Sequence, residues 1–415
     1  MPLRVRRLDV IEFGRSRSVA TVAGCSFAFY LAYHMFGLHL SRVWPPALRG
    51  DAWIVFDQAR KIFDHAAYPA DTIFPYSPSA VLIFRGLSIG GPGIFMAVWY
   101  VLIIAGVVLA TRASLVQERS RVQAAWPLLG GLAILLADSP VSWDLRNANS
   151  NLIYVGLVMA GYGLLGALPV LAGAIVGISV SLKLYSGLVL LWLFLNGQRR
   201  AFFAGIMAVS ILWIVLPAVL FGQEGLVRVY EGWRDQFHMI SDPALHAKLA
   251  SGDVGPPLVT LQRAIVNLTS WSFQSAATLA TLSVLWSLWV AALLWYGWRC
   301  RGSFPVQVPS RAALADWIVL LLAPLPFSPW LEPYHSIPLL VGAVLCLVLL
   351  LDHTVARQDR LAALTAIATP LMFILFKVPF TVRGFGLGTQ FLILVLVLAY
   401  VRPHLETSQR CATER

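Results

Sequence analysis

Charge is scarce in this chain. Asp, Glu, Lys and Arg make up 12% of its 415 residues, against roughly 25% in soluble domains. Hydrophobic residues reach 58% and the mean hydropathy is +0.74. That balance excludes an ordinary soluble enzyme and points to an integral membrane protein. Cysteine is scarce too: Cys25, Cys300, Cys346 and Cys411 are far apart and form no CxxC pair, so neither a disulfide framework nor a metal site is expected. A Gly-rich loop between strand and helix is missing, which removes the usual cradle for a nucleotide. No internal repeat, low-complexity tract or soluble domain stands out, and a single membrane domain over residues 1–415 is expected. The formal charge of +11 therefore has no soluble basic patch to carry it, and nucleic acid is not an expected partner.

What is present is a series of apolar runs. A bilayer core of about 30 Å takes roughly 20 residues of helix. On that ruler, segments fall near 19–38, 79–111, 125–138, 148–166, 168–182, 184–195, 201–221, 274–298, 312–330, 336–351, 362–377 and 387–401. The expectation is an all-α polytopic protein with about twelve transmembrane or half-membrane helices. The run at 79–111 is broken by "GGPG" at 90–93, and 168–182 and 184–195 are short; such pieces are tolerated where they line a cavity. "VAGC", ending at Cys25, resembles a lipoprotein cleavage box, but the apolar run continues past it, so an uncleaved first helix is expected.

Arginines sort the gaps. With the N-terminus inside, the cytoplasmic gaps carry Arg4, Arg6, Arg7, Arg112, Arg119, Arg199, Arg200, Arg299, Arg311 and Arg357, as the positive-inside rule requires. Both termini are then cytoplasmic, in a multi-pass plasma (inner) membrane protein. The outer face receives 39–78, 139–147, 222–273, 331–335 and 378–386, where most acids gather. Reading 168–195 as one helix would invert everything downstream. In the first outer loop, Trp53, Phe56, Ala59, Ile62 and Phe63 recur at helical spacing, so "AWIVFDQARKIFDHA" reads as an amphipathic helix lying in the interface with its apolar face down.

Candidate chemistry lies in these outer gaps. Asp51 opens the amphipathic helix, where spacing alone favours an N-cap over a working carboxylate; Asp57 and Asp64 read as a solvated face. "DSPVSWDLRNANSN" (138–151) reads as a short polar turn whose Asn147, Asn149 and Asn151 either shape the loop or bind a hydroxyl-rich ligand. Lys183, inside "GISVSLKLYSGLVLL", is costly in a membrane unless it faces a cavity, a partner or a phosphate, or snorkels to the interface. Arg263, Arg383, and the group Trp330, Glu332, Tyr334 and His335 add cations, a carboxylate, a histidine and aromatic rings on the same side. That set suits a phosphate-bearing lipid and a polar acceptor.

The order of these motifs resembles the membrane glycosyltransferases of the GT-C superfamily, specifically glycosyltransferase family 87 (DUF2029), which includes polyprenyl-phosphate-mannose-dependent mannosyltransferases. The resemblance runs through "VFDQARKIFDHAAY", "FPYSPSAVLIF", "NANSNLIYVGLVMAGYGLL", "LAGAIVGISVSLKLYSGLVLLWLFLNGQRRA" and "PLPFSPWLEPYHSIPLL". "RNANSN" departs from the family's more usual Gly-Gln before the Asn. The resemblance implies a GT-C fold and transfer of a hexose, mannose by analogy, from a polyprenyl-phosphate donor to a lipid or glycan acceptor at the outer face. It implies Asp51 as general base, Lys183, Arg263, Arg383 and His335 at the donor phosphate, and Asp57, Tyr76, Asn147, Asn149, Asn151, Trp330 and Glu332 near acceptor or sugar. It requires no metal and no cofactor. The rival reading from the residues alone is a transporter or lipid-sugar flippase, which would also use broken helices and a buried lysine.

Overall fold

A computed structural model describes residues 17–33, 51–69, 73–116, 118, 120–240, 308–322, 325, 333–375 and 393–406, with a few single positions at 284–292 and 390. The expected helix at 274–298 and most of the loop at 222–273 lie outside this set, as do Arg263, Trp330, Glu332 and Arg383. The described residues are helical, with no strand among them. The principal helices are α1 (Arg17–Ala32), α2 (Asp51–His65), α3 (Pro78–Leu87), α4 (Gly91–Arg112), α5 (Trp126–Leu136), α6 (Asp138–Asn147) and α7 (Asn151–Leu164). They continue with α8 (Pro169–Leu182), α9 (Gly187–Leu195), α10 (Arg199–Ser210), α11 (Leu216–Ile240), α12 (Arg311–Leu322), α13 (Pro338–Leu351) and α14 (Arg357–Leu375).

The described residues do not confirm the expected count of about twelve spans. Among the described residues two helical stretches, Gly91–Leu115 and Arg199–Gln236, are long and apolar enough to cross a membrane. A third arises if Trp126–Leu136 and Pro140–Asn147, which meet at 89°, count as one broken span. The remaining apolar helices are shorter than 18 residues. The run at 79–111 breaks where the glycines and proline stand, between α3 and α4. Residues 139–147, expected as a turn, form most of the ten-residue helix α6. The apolar side of α2 packs inward on the protein: Phe56 meets Phe95 with ring centres 5.2 Å apart, and Val55, Ala59 and Ile62 are buried.

Small residues bring the helices together. A Cβ on Gly173 would overlap the Ala201 carbonyl and one on Gly177 the Gly205 carbonyl, so α8 and α10 run parallel in near-backbone contact. In lipid, where burial gives helices no hydrophobic reason to associate, such close packing is what holds them. Gly106 and Gly156 do the same for α4 and α7.

The chain turns at Lys183. The lysine is extended (φ −146°, ψ 118°), ends α8, and is followed by a short 3₁₀ turn into α9. Gly166, just before α8, lies against Val308 and Pro309, and Trp192 near the end of α9 donates to Asp316 of α12. The chain thus climbs α8 and descends α9, which places Lys183 at the top of a helical hairpin and Arg199 at its foot. The foot is rich in matched charges. Arg311 meets Glu118 at 2.7 Å and Asp352 at 2.7 Å. Arg402, 3% exposed, meets Asp316 at 3.2 Å and Glu406 at 2.8 Å.

Candidate active site

At the opposite end, helix α6 finishes in a left-handed residue. Ala148 (φ 47°, ψ 48°) and Asn149 return their N–H groups to Leu145 (3.3 Å) and Asp144 (3.0 Å), the pairing that commonly terminates helices. Trp99 fixes this turn by donating its indole N–H to the Ala148 carbonyl at 2.8 Å. The turn delivers three polar side chains to one place. Asn149 Nδ2 donates to Asp51 Oδ2. Its Oδ1 accepts from the Ser150 backbone N–H at 2.7 Å and from Asn151 Nδ2 at 2.6 Å. Asn151 Nδ2 also donates to Asp144 Oδ1 at 3.0 Å, and Asp144 Oδ2 accepts from the Leu152 N–H at 3.2 Å. Neither amide can be reversed, because reversal would face oxygen against oxygen.

Asp51 is half-buried at the start of α2. Burial raises its carboxyl above the ordinary range, while the Asn149 hydrogen bond and the charge of Lys183 pull it back down.

The second wall comes from "FPYSPSA". Its two prolines hold an extended strip that α11 pins in place: Gln236 accepts from the Phe74 N–H and donates to the Pro69 carbonyl, both at 2.7 Å, and Trp233 donates to the Pro75 carbonyl at 3.1 Å. Ser77 caps α3 through the Ala80 N–H at 3.2 Å and donates to the Ser181 carbonyl at 2.8 Å, which ties the strip to the end of α8. Tyr76 therefore stands between the two clusters. Its hydroxyl lies 3.1 Å from Ser150 Oγ, and Lys183 Nζ sits 5.4 Å from its ring centre. A lysine so placed is stabilised by the ring face. Lys183 Nζ also lies 3.3 Å from Nε2 of buried His335, a contact of hydrogen-bond length between the two side chains.

Residues 74–329, more than half of the chain, match the family model of glycosyltransferase family 87. The chain belongs to glycosyltransferase family 87. It is thus a membrane glycosyltransferase of the GT-C class. No curated protein and no solved structure matches it. Tyr76, Asp144, Asn149, Asn151 and Lys183 lie inside the family 87 region, whereas Asp51 and His335 lie outside it and join the site through geometry alone.

Of the residues singled out from the sequence, the structure brings Asp51, Tyr76, Asn149, Asn151, Lys183 and His335 into one connected set. Asn147 is half-buried on the last turn of α6. Asp57 is elsewhere: it pairs with Lys61 at 2.7 Å, one helical turn on, because it projects from a different side of α2 than Asp51. Arg263, Arg383, Trp330 and Glu332 lie outside the described residues. Asp144 and Ser150 were not singled out, although "DLRNANSN", an acid two turns before a helix start, carried a readable signal.

Proposed function

We propose that this glycosyltransferase moves a hexose, most simply mannose, from a polyprenyl-phosphate donor to a hydroxyl of a lipid or glycan acceptor, at the periplasmic or extracellular face of the plasma membrane. The observation that carries this reading is a half-buried carboxylate and a lysine on either side of Tyr76, within one site at one end of the helices. Asp51 removes the acceptor hydroxyl proton as that oxygen attacks the anomeric carbon. The bond from that carbon to the phosphate oxygen breaks, and the lipid phosphate departs with both electrons. An anionic leaving group needs positive charge more than a proton, which is the part given to Lys183. His335, 3.3 Å from Nζ through its Nε2, orients the lysine where the phosphate leaves. Arg263 and Arg383 are further candidates for that phosphate, and Asn147, Trp330 and Glu332 for sugar or acceptor.

The outer-face assignment is supported by the basic residues at the foot of the bundle, where Arg112, Arg199 and Arg311 stand. A single nucleophilic displacement of this kind inverts the anomeric centre. The test is transfer of radiolabelled sugar from a panel of polyprenyl-phosphate hexoses into bacterial membrane lipids and glycans, by native protein and by Asp51→Asn at matched expression. Transfer by the native protein and not by the variant is expected. Equal transfer by both would remove Asp51 from the chemistry, and no transfer by either would return the transporter reading.

A further inference from the structure

We propose that Asp144 is a positioning residue for sugar transfer, acting on the base through Asn151 and Asn149. This inference rests on the reading of Asp51 as the base. Asp144 makes no hydrogen bond to Asp51 itself; it is fully buried, and both of its oxygens are engaged by Asn151 and Leu152. Its Oδ1 accepts a hydrogen bond from Asn151 Nδ2, and this fixes which end of that buried amide faces Asn149. Asn151 in turn gives a hydrogen to Asn149 Oδ1 at 2.6 Å. With that oxygen held by Asn151 and by the Ser150 N–H at 2.7 Å, the Asn149 amine is directed toward Asp51 Oδ2. The consequence is local and stereochemical: one oxygen of Asp51 is held, so the other is presented to the acceptor proton in a fixed orientation. A base held this way keeps the near-attack geometry on which much of the rate depends.

Asp144 has a second part that must be told apart from the first. Its Oδ2 accepts the Leu152 N–H at the start of α7, where no side chain of the preceding residue caps the helix. A carboxylate there stabilises the helix start whether or not it matters for chemistry. Two variants separate the roles. Asp144→Asn disturbs both, because an amide cannot accept at both positions. Asn151→Ala cuts the chain toward Asp51 and leaves the Leu152 contact intact.

The experiment uses the full chain, purified in detergent, with the polyprenyl-phosphate hexose that the native protein consumes. Both variants should lower kcat about 100-fold with little change in donor KM, since Lys183 and His335 are untouched. The acid limb of the pH profile should move to higher pH, because the hydrogen bond that holds the Asp51 carboxyl down is loosened. Adding Asn149→Ala to either variant should cost nothing beyond Asn149→Ala alone, as expected for residues acting through a single link. A cap without a positioning role would instead leave Asn151→Ala at native kcat, and Asp144→Asn would lower the unfolding temperature with an unmoved acid limb. Either that pattern or multiplicative losses in the double variants overturns the proposal. If Asp51→Asn is inactive while Asn151→Ala is native, this inference alone falls. If Asp51→Asn still transfers sugar, or the native protein consumes no donor, the reading of the base falls and takes this inference with it.

Discussion

The two ends of the helical bundle treat charge in opposite ways. At the foot, Arg311 is flanked by Glu118 and Asp352, and Arg402 by Asp316 and Glu406, so each cation meets carboxylates at ion-pair distance. At the top, Asp51 is held by an amide, and Lys183 is approached by an imidazole and a tyrosine ring. An amide, an imidazole and an aromatic ring hold these two groups in place, and the charge of Lys183 is felt at Asp51. Ion pairs at the foot lock helices against one another; under the proposed function, the carboxylate and the ammonium at the top serve a proton and a phosphate.

Substitutions at the two ends should therefore fail in different currencies. Asp51→Asn should cost about 1,000-fold in kcat, within the usual range for a general base, without lowering the unfolding temperature. A carboxyl raised by burial stabilises the fold only below its ordinary value of about 3.9, and that contribution is lost as pH rises through the raised folded value. At neutral pH the amide removes a penalty. Arg402→Met should do the reverse, costing about 3–5 kcal/mol of stability by stranding buried Asp316, with transfer per folded molecule unchanged; thermal unfolding beside specific activity measures both. Lys183→Met should lower kcat about 100-fold, and an unaltered kcat would show that the two ends are not divided as described. The smallest effects come with pH. Transfer should fall on acidification along a limb lying above pH ~3.9, the ordinary Asp value, because Asp51 must ionise to work. Asp352 behaves oppositely: burial tends to raise it, but hydrogen bonds from Thr354 and the Arg311 pair outweigh this and hold it low. Its stabilising contribution is present above the ordinary value and is lost only as pH falls through the lowered one, so unfolding temperature should hold until more acid conditions than activity does.

Much of this division was legible in the amino-acid order, and what was not has physical causes. Composition alone gave the helical membrane class, and "GGPG" marked the break between α3 and α4. Lys183 stood out because a lysine among leucines and valines needs a reason. The number of spans did not follow, since apolar runs of 10 to 17 residues look alike whether they cross a membrane, pack inside protein or form one limb of a hairpin. Helix α6 was read as a turn because its polar residues hide the fact that α6 is a helix bent sharply away from α5. Asp57 reads as part of a solvated face, and its pairing with Lys61 fits that reading; the angular spacing around α2 keeps it away from the Asp51 cluster. Asp144 could not be weighed, because its importance comes from two amides that reach it only after the α6 turn has formed.

That turn holds one last consequence, in Ala148. A left-handed alanine costs about 1 kcal/mol that glycine would not, and glycine is the commoner choice at this position of a helix ending. Ala148 is buried, and its carbonyl is gripped by Trp99. Glycine would relax the backbone and, with it, widen the swing of the residue that touches Asp51. An alanine at the elbow trades a little stability for stiffness, and the stiff elbow keeps the Asn149 amide trained on Asp51.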